Sequence, residues 1–577
     1  MTSINMPILA LVLCSITGEL FAADDWYEYG HFYQIYPRSF QDSDGDGVGD
    51  LNGITSRLSH LQYVGVSGVW LSPIFKSPLK DFGYDISDFR QIQSEYGTME
   101  DFERLVERCK ELDIKLILDF VPNHSSDQHE WFKKSCNPSD PEYEKYKDFY
   151  VWNEGKLLEN GTRVPPSNWV SVFRGSAWTW VETRKAYYYH QFYAEQPDLN
   201  FRNDAVVEEM KEILRFWMRK GVGGYRVDAV PHFFESKENA DGVYDDEPLS
   251  GGSCEPDEYC SLNHTNTYDL DETFDLVYEF RAVLDEPEFS NPTRVLMAEA
   301  YSPLCNALKY YGKVENGTIT KYGAQIPFNF QLMQNTKMGS GSQDYINSIN
   351  SWILNLPKGN GIHANWVLGN HDKKRIATDY KPTRTDIFNI LLKTLPGITV
   401  TYYGEEIGMT SNDKISSEDE REQSRTPMQW DNTKNAGFSD AETTWLPVAE
   451  NFTECNVKLE KSQPQSFLKN FRRLITLREN PTIKYGTLQL AAIDEEVLAY
   501  KREIEGDPKA DIIVMVLNLG TSNKTVDLKA HFSNLPKNMR VSIVSIHSKT
   551  IKPGNSIETQ KLFLSSEVGV VLIGRKR

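Results

Sequence analysis

From about residue 31 to residue 480, short apolar runs alternate with amphipathic stretches. That alternation is the pattern of βα units laid side by side around a parallel sheet. Eight runs have strand character: 32–36, 68–72, 115–121, 224–229, 295–298, 326–330, 366–368 and 398–403. Between them, residues such as Val206, Val207, Met210, Ile213, Leu214, Trp217 and Met218 recur at helical spacing and give a helix one core-facing stripe. Eight such units predict an α/β fold, a (β/α)8 TIM barrel, in which active sites are built at the C-terminal strand ends.

Two departures from the alternation divide the chain. Residues 124–200 are irregular and rich in Trp, Tyr, Pro and Asn, too long for a simple connection. They read as an inserted domain after strand 3 that overhangs the strand ends. Beyond residue 482 the pattern changes to short alternating strands at 488–492, 497–501, 512–519, 541–546 and 568–573, which predict a C-terminal antiparallel β-sandwich domain over 482–577. The barrel is then expected in two pieces, 24–123 and 201–481. Internal repeats and low-complexity segments are absent from the sequence.

The chain has 577 residues, 40% of them hydrophobic, enough for a large core. Its net charge of −20, from 82 acidic and 62 basic residues, argues against nucleic-acid or anionic-membrane partners. Residues 1–23 read as a secretory signal, with an apolar stretch at 7–16 and small residues Ala22 and Ala23 at a cleavage point. A signal anchor is the competing reading, but the apolar stretch is too short to span a bilayer and Gly18-Glu19 interrupts it. No later segment is apolar enough to span, so no membrane anchor is expected. Sequons at Asn160, Asn263, Asn316, Asn451 and Asn523 suit a secreted glycoprotein, while a sixth at Asn123 falls among candidate site residues and is expected to be unmodified. Of seven cysteines, Cys14 leaves with the signal, and Cys254 and Cys260 are close enough to close a small loop as a disulfide. Cys109, Cys136, Cys305 and Cys455 could be free, their pairing is left open by the sequence, and their spacing does not suit zinc.

Three segments each set an isolated carboxylate just past an apolar run: Arg226-Val227-Asp228, Met297-Ala298-Glu299 and Asn370-His371-Asp372. Cleaving a glycosidic bond with retention needs one ionised carboxylate as nucleophile and one protonated carboxyl as general acid. A third can stabilise the charge that builds on the sugar ring. Arg226 precedes Asp228 by two residues, hence shares its side of a strand, and a cation there keeps a nucleophile ionised. Glu299 would need its proton held by burial or by neighbouring acids. Singly, each acid is more often a loop residue or a salt-bridge partner. The set gains weight from Asp119, Asn123 and His124 closing the third strand, Tyr84 and Asp85 after the second, and His371 beside Asp372. Imidazoles and amides beside carboxylates suit sugar hydroxyls, and an aromatic ring offers an apolar face. Separately, Asp42-Ser43-Asp44-Gly45-Asp46-Gly47-Val48-Gly49-Asp50 can wrap oxygens around a hard cation such as calcium. Its twelfth position is Gly53, so it is not an EF-hand, and a solvated acidic loop is the alternative.

The segments Asp119-Phe120-Val121-Pro122-Asn123-His124, Gly224-Tyr225-Arg226-Val227-Asp228, Ala298-Glu299-Ala300 and Gly369-Asn370-His371-Asp372 resemble, in order, the four signature regions of the α-amylase family of glycoside hydrolases. Gln196-Pro197-Asp198-Leu199-Asn200 and Arg425-Thr426-Pro427-Met428-Gln429-Trp430 resemble its oligo-1,6-glucosidase and α-glucosidase branch, of the insect maltase type. The resemblance implies Asp228 as nucleophile, Glu299 as acid and Asp372 as stabiliser. It implies that Asp85 and Arg425 grip the terminal glucose and close the pocket, with Tyr84, His124, Arg226 and His371 lining it. It also implies a structural calcium ion held by Asp42, Asp44, Asp46, the Val48 carbonyl and Asp50, and no organic cofactor. The expected function is a secreted exo-α-glucosidase, acting in an extracellular, digestive lumen on di- and oligosaccharides without an obligate protein partner. The resemblance further implies that Ala229, directly after the nucleophile, favours maltose, maltooligosaccharides and sucrose over isomaltose, though it departs from the Thr of some maltases. Two rivals remain: a transglucosidase or sucrose isomerase, and a non-catalytic subunit like the amino-acid transporter heavy chains, which share the barrel.

Overall fold

The computed structural model describes residues 24–417 and 419–575. The signal read at 1–23, with Cys14, lies outside the described residues. The barrel strands are β1 (His31–Ile35), β2 (Gly68–Leu71), β3 (Lys115–Phe120), β4 (Gly224–Val227), β5 (Val295–Ala298), β6 (Ile326–Pro327), β7 (Asn365–Trp366) and β8 (Ile398–Tyr402). They form one parallel eight-stranded sheet in the order β6-β5-β4-β3-β2-β1-β8-β7. The ladder is open only between β6 and β7. There the Asn365 side chain does what a backbone ladder would, donating to the Pro327 carbonyl at 2.6 Å and accepting from the Asn329 N–H at 2.8 Å. Both strands are shorter than expected, because Phe328, Phe330, Val367 and Leu368 are buried without continuing the pairing.

Strand alternation decides which residues reach the mouth. Phe32, Trp70, Ile117, Val295, Met297 and Ile326 fill the barrel interior, whereas Tyr33, Ile35, Leu116, Leu118, Tyr225, Val227 and Leu296 join the core shared with the surrounding helices. Asp119, Arg226, Asp228 and Glu299 fall in the inward rows of β3, β4 and β5. The helices carry matching signals. Leu51–Val64 begins at Asp50, whose side chain accepts from the Gly53 N–H, and ends at Gly65 with φ of 82°. Asp204–Arg219 is capped by Asn203 and buries Val206, Met210, Ile213, Leu214, Trp217 and Met218.

Two excursions build over the C-terminal strand ends. After β3 come the short helices Glu130–Ser135 and Tyr143–Tyr146 and a small antiparallel sheet of Trp152–Asn153, Ala186–Tyr189 and Trp178–Val181. After β4, residues 233–258 form no regular element before the helix Asp271–Leu284, a second excursion that the strand count alone did not anticipate. The two share an aromatic cluster in which Trp169, Trp178 and Tyr189 pack on Tyr244.

The C-terminal strands β9 (Thr487–Ala492), β10 (Val497–Glu503), β11 (Asp511–Asn518), β12 (Asn538–Val544), β13 (Ser556–Glu558) and β14 (Gly569–Arg575) pair antiparallel in the order β9-β10-β11-β14-β12-β13. One face packs Leu498, Tyr500, Met515 and Val571 on the barrel helix Thr385–Thr394. The other packs Val514, Val516 and Val570 beneath the two-stranded sheet Lys524–Val526 and Leu562–Leu564.

Candidate active site

The inward rows converge on a pocket of about 480 Å³ at the barrel mouth, lined among others by Asp81, Tyr84, His124, Asp228, Ala229, Glu299, His371, Asp372 and Arg421. Arg226 lies beneath its floor, buried, and joins three acids. Its Nη1 meets both Asp119 oxygens at 2.8 and 3.0 Å and Asp228 Oδ1 at 2.5 Å, and its Nη2 meets Glu299 Oε1 at 2.8 Å. The indole of Trp70 backs the guanidinium at 4.9 Å and donates to Asp119 at 3.1 Å. The Ala229 N–H donates to Glu299 Oε2 at 3.2 Å, so the residue after Asp228 also fixes Glu299.

Burial and mutual repulsion both oppose ionisation of the two aspartates beside this guanidinium. Burial pushes Asp119 up to about 6 even against Arg226. Burial, with Glu299 and Asp119 nearby, also pushes Asp228 up, while Arg226 pulls it down. Asp119 and Asp228 are thereby coupled, and their titration belongs to the pair. Asp372 behaves oppositely. Burial alone would raise it, but the Arg425 and Arg421 guanidiniums outweigh burial and hold it well below the carboxylate range. The pocket thus sets an ionised Asp372 beside two aspartates that burial makes reluctant to ionise.

The histidines are neutral hydrogen-bonding groups. Burial lowers His371 to about 3 and His124 to about 4. His371 pairs through Nδ1 with Gln34 at 2.9 Å and through Nε2 with the Tyr84 hydroxyl at 2.7 Å, and the Tyr84 ring stacks on it. Tyr84 also donates to Asp119 at 3.2 Å, which ties the two acid groups into one network. His124 is held by the Tyr84 carbonyl and Gln196, and Asp198 of the same motif accepts from Asn123 at 2.8 Å.

Asp85 and Arg425 do not line the pocket. The Asp85 carboxylate is sunk in its own turn, accepting from Ser77 Oγ at 2.9 Å, the Lys80 N–H at 2.9 Å and the Asp81 N–H at 3.0 Å. Arg425 stands behind Asp372, donating to it at 2.9 Å and to the His371 carbonyl at 2.9 Å. The pair that lines it instead is Asp81 and Arg421, 2.9 Å apart, with Arg421 also 3.7 Å from Asp372. Sequence reasoning missed both. Asp81 lies three residues before Tyr84, the spacing that could have pointed to it, whereas Arg421 sits in a charged 3-10 turn, Glu420–Ser424, that reads as ordinary surface.

In the acidic loop, one carboxylate oxygen each from Asp42, Asp44 and Asp46 lies within 4.8 Å of the others, close enough to hold a metal ion. Gly47, with φ of 94°, lets the loop pass against the Thr443 carbonyl where a Cβ would collide. Asp50 is outside the group. Its oxygens accept from the Ser43 N–H and hydroxyl and from the Gly53 N–H at the start of a helix. The Val48 N–H donates to Asp46 at 2.7 Å.

A barrel that gathers Asp119, Asp228 and Glu299 over one arginine at its C-terminal mouth has the architecture of a carbohydrate-cleaving class of enzyme. The family described as "Alpha amylase, catalytic domain" matches residues 34–486. The salivary alpha-glucosidase of Aedes aegypti is 46% identical over 99% of this chain and 98% of its own. Maltase A1 of Drosophila melanogaster is 47% identical over 98% of this chain and 99% of its own. Among solved structures, the alpha-glucosyl transfer enzyme XgtA superposes with a TM-score of 0.79 at 29% identity, covering 96% of this chain and 100% of that one. The chain belongs to the α-amylase family and is a glycoside hydrolase.

Proposed function

We propose that this protein is a secreted α-glucosidase that removes the terminal non-reducing glucose from maltose, sucrose and short maltooligosaccharides with retention of configuration. The observation that carries the reading is the single guanidinium of Arg226 binding Asp119, Asp228 and Glu299 on the floor of a pocket lined also by Asp81 and Arg421. In this reading the pocket admits one terminal sugar, which makes the action exo. Asp228 attacks the anomeric carbon as Glu299 delivers its proton to the departing oxygen. Glu299 then takes a proton from water, whose oxygen displaces Asp228, and the second inversion restores the configuration. Asp372, held ionised by its arginines, steadies the positive charge on the ring. Tyr84, His124 and His371 offer the sugar a ring face and neutral hydrogen-bond partners.

Asp42, Asp44 and Asp46 would hold a calcium ion, which supplies charge neutralisation for the loop and takes no part in the chemistry. The Cys254–Cys260 disulfide, with Cα atoms 5.9 Å apart, supports an oxidising compartment, as do exposed sequons at Asn160, Asn263, Asn316 and Asn523. Asn123 is buried against Asp198 and closed to modification. No helix among the described residues is long and apolar enough to cross a membrane. The complete acid set argues against a non-catalytic subunit.

Glucosyl transfer is a second reading. It is favoured by the likeness to a transfer enzyme and by an outer cleft of about 810 Å³ that shares Tyr301, Asp372, Lys373 and Arg421 with the pocket and leaves room for an acceptor sugar. Glucose release from equal concentrations of maltose, sucrose, isomaltose and starch, with the anomer followed by NMR, tests the proposal. Prompt α-glucose from maltose and sucrose, with little from starch, supports it; β-glucose as the first product would overturn retention. Oligosaccharide products dominating at low sucrose would favour transfer.

A further inference from the structure

Residues 425–430 form no regular element, yet Arg425 begins them with a fully buried guanidinium that must point one way. Buried carbonyls outside a helix or sheet need partners from elsewhere. Here three successive carbonyls are each taken by a side-chain hydroxyl. Tyr402 donates to the Ser424 carbonyl at 3.1 Å, Ser39 to the Arg425 carbonyl, and Tyr403 to the Thr426 carbonyl at 2.6 Å. The donors come from two adjacent barrel strands: Ser39 follows β1, Tyr402 ends β8 and Tyr403 is the next residue. All three are buried.

The donors are themselves held. Ser39 Oγ accepts from the Trp445 indole N–H at 3.0 Å, and the Ser39 carbonyl accepts from the Met428 N–H at 2.7 Å, so Ser39 grips the segment at two points. The Arg375 guanidinium lies against both tyrosine rings, at 4.7 Å from Tyr402 and 4.6 Å from Tyr403, and donates to the Tyr403 carbonyl at 2.6 Å. A backbone pinned at three consecutive carbonyls cannot rotate about Arg425 without breaking one of these bonds. The long Arg425 stem therefore starts from a fixed base, and its guanidinium leaves over the Tyr36 ring at 5.3 Å to reach the His371 carbonyl and Asp372.

We infer that Ser39, Tyr402 and Tyr403 are positioning residues that aim Arg425 at Asp372. This rests on the reading that Asp372 steadies the charge on the sugar ring. None of the three lines the pocket, so their effect on the sugar runs through Arg425.

The test places Ser39→Ala and Tyr403→Phe, each singly, in wild type and in Arg425→Lys, which keeps the charge and loses the fork. The readouts are kcat and KM for maltose and the calorimetric Kd of 1-deoxynojirimycin, a cationic sugar analogue. In wild type each change removes one neutral hydrogen bond behind a contact that serves the transition state. It should lower kcat about 3- to 10-fold, leave KM within about twofold and weaken the analogue about 3- to 10-fold. In Arg425→Lys the same changes should add less than about twofold to either readout, because the group they aim is gone. Losses that multiply in full in the Arg425→Lys background, or that fall on KM alone, would overturn the inference. Thermal unfolding curves separate loss of fold from loss of aim, and if Ser39→Ala does not fold, the near-isosteric Tyr403→Phe decides. If Arg425→Lys turns over too slowly to assay, the calorimetric comparison decides. A wild type inactive on maltose sinks the functional reading itself, whereas an active wild type with additive losses sinks only this inference.

Discussion

Replacing Arg226 with lysine keeps the charge but removes the fork. The guanidinium reaches Asp119 and Asp228 from one nitrogen and Glu299 from the other. A single ammonium cannot span that arrangement. At least one charge-assisted contact is lost, worth about 1.5–3 kcal/mol, and each 1.36 kcal/mol is about one pKa unit or a tenfold change in rate. Losing cationic support raises the carboxyl pKa values, so the nucleophile ionises only at higher pH. The acid limb of kcat/KM for maltose should therefore rise by about one to two pH units, with activity at a fixed pH on that limb reduced about 10- to 100-fold. The assay is kcat/KM across pH 4–8 beside a thermal unfolding curve that checks the fold. An acid limb that stays in place while activity falls would refute the claim that Arg226 sets the ionisation of the acid cluster.

Asp81→Asn should weaken inhibition by 1-deoxynojirimycin, measured as an inhibition constant, because it removes a pocket-lining carboxylate and leaves Arg421 to Asp419 and Asp372. Asp85→Asn should instead lower Tm, because its carboxylate serves its own turn. Burial raises Asp386 from 3.8 to about 7, so between those values the folded state binds more protons than the unfolded state and stability is lost as pH rises. Wild type should lose Tm from pH 4 to 7 more steeply than Asp386→Asn, whose neutral amide removes a cost on the order of 4 kcal/mol; parallel curves would contradict this. Added calcium should raise the Tm of wild type, but not of an Asp44→Ala/Asp46→Ala variant, and should leave kcat unchanged in both.

The eight barrel strands were legible because each is a short apolar run between amphipathic helices. The reading overran at β6 and β7 because Phe328 and Val367 are as apolar as the strand residues before them, yet pack without pairing. The acids were legible through their place at strand ends, where inward alternation carries Asp119, Arg226, Asp228 and Glu299 to one spot. Asp81 and Arg421 come from loops, whose paths follow no period. Asp85 and Arg425 were credited with the contacts of those neighbours because sequence shows proximity along the chain but not the direction of a carboxylate. The excursion after β4 had its signal in the Gly-, Asn- and Asp-rich composition around the Cys254–Cys260 pair. Its service as a pocket wall depends on contacts with the domain inserted earlier in the chain, as in Asn168 to Glu247, 79 residues apart.

The central claim is that Asp228 bonds covalently to the sugar. Incubation with 5-fluoro-α-D-glucopyranosyl fluoride, which slows release of the glucosyl enzyme, followed by proteolysis and mass spectrometry, locates that bond. The account predicts one fluoroglucosyl group per chain, on Asp228, and none in Asp228→Asn. A label on Glu299 or Asp372, or undiminished turnover in Asp228→Asn, would contradict it.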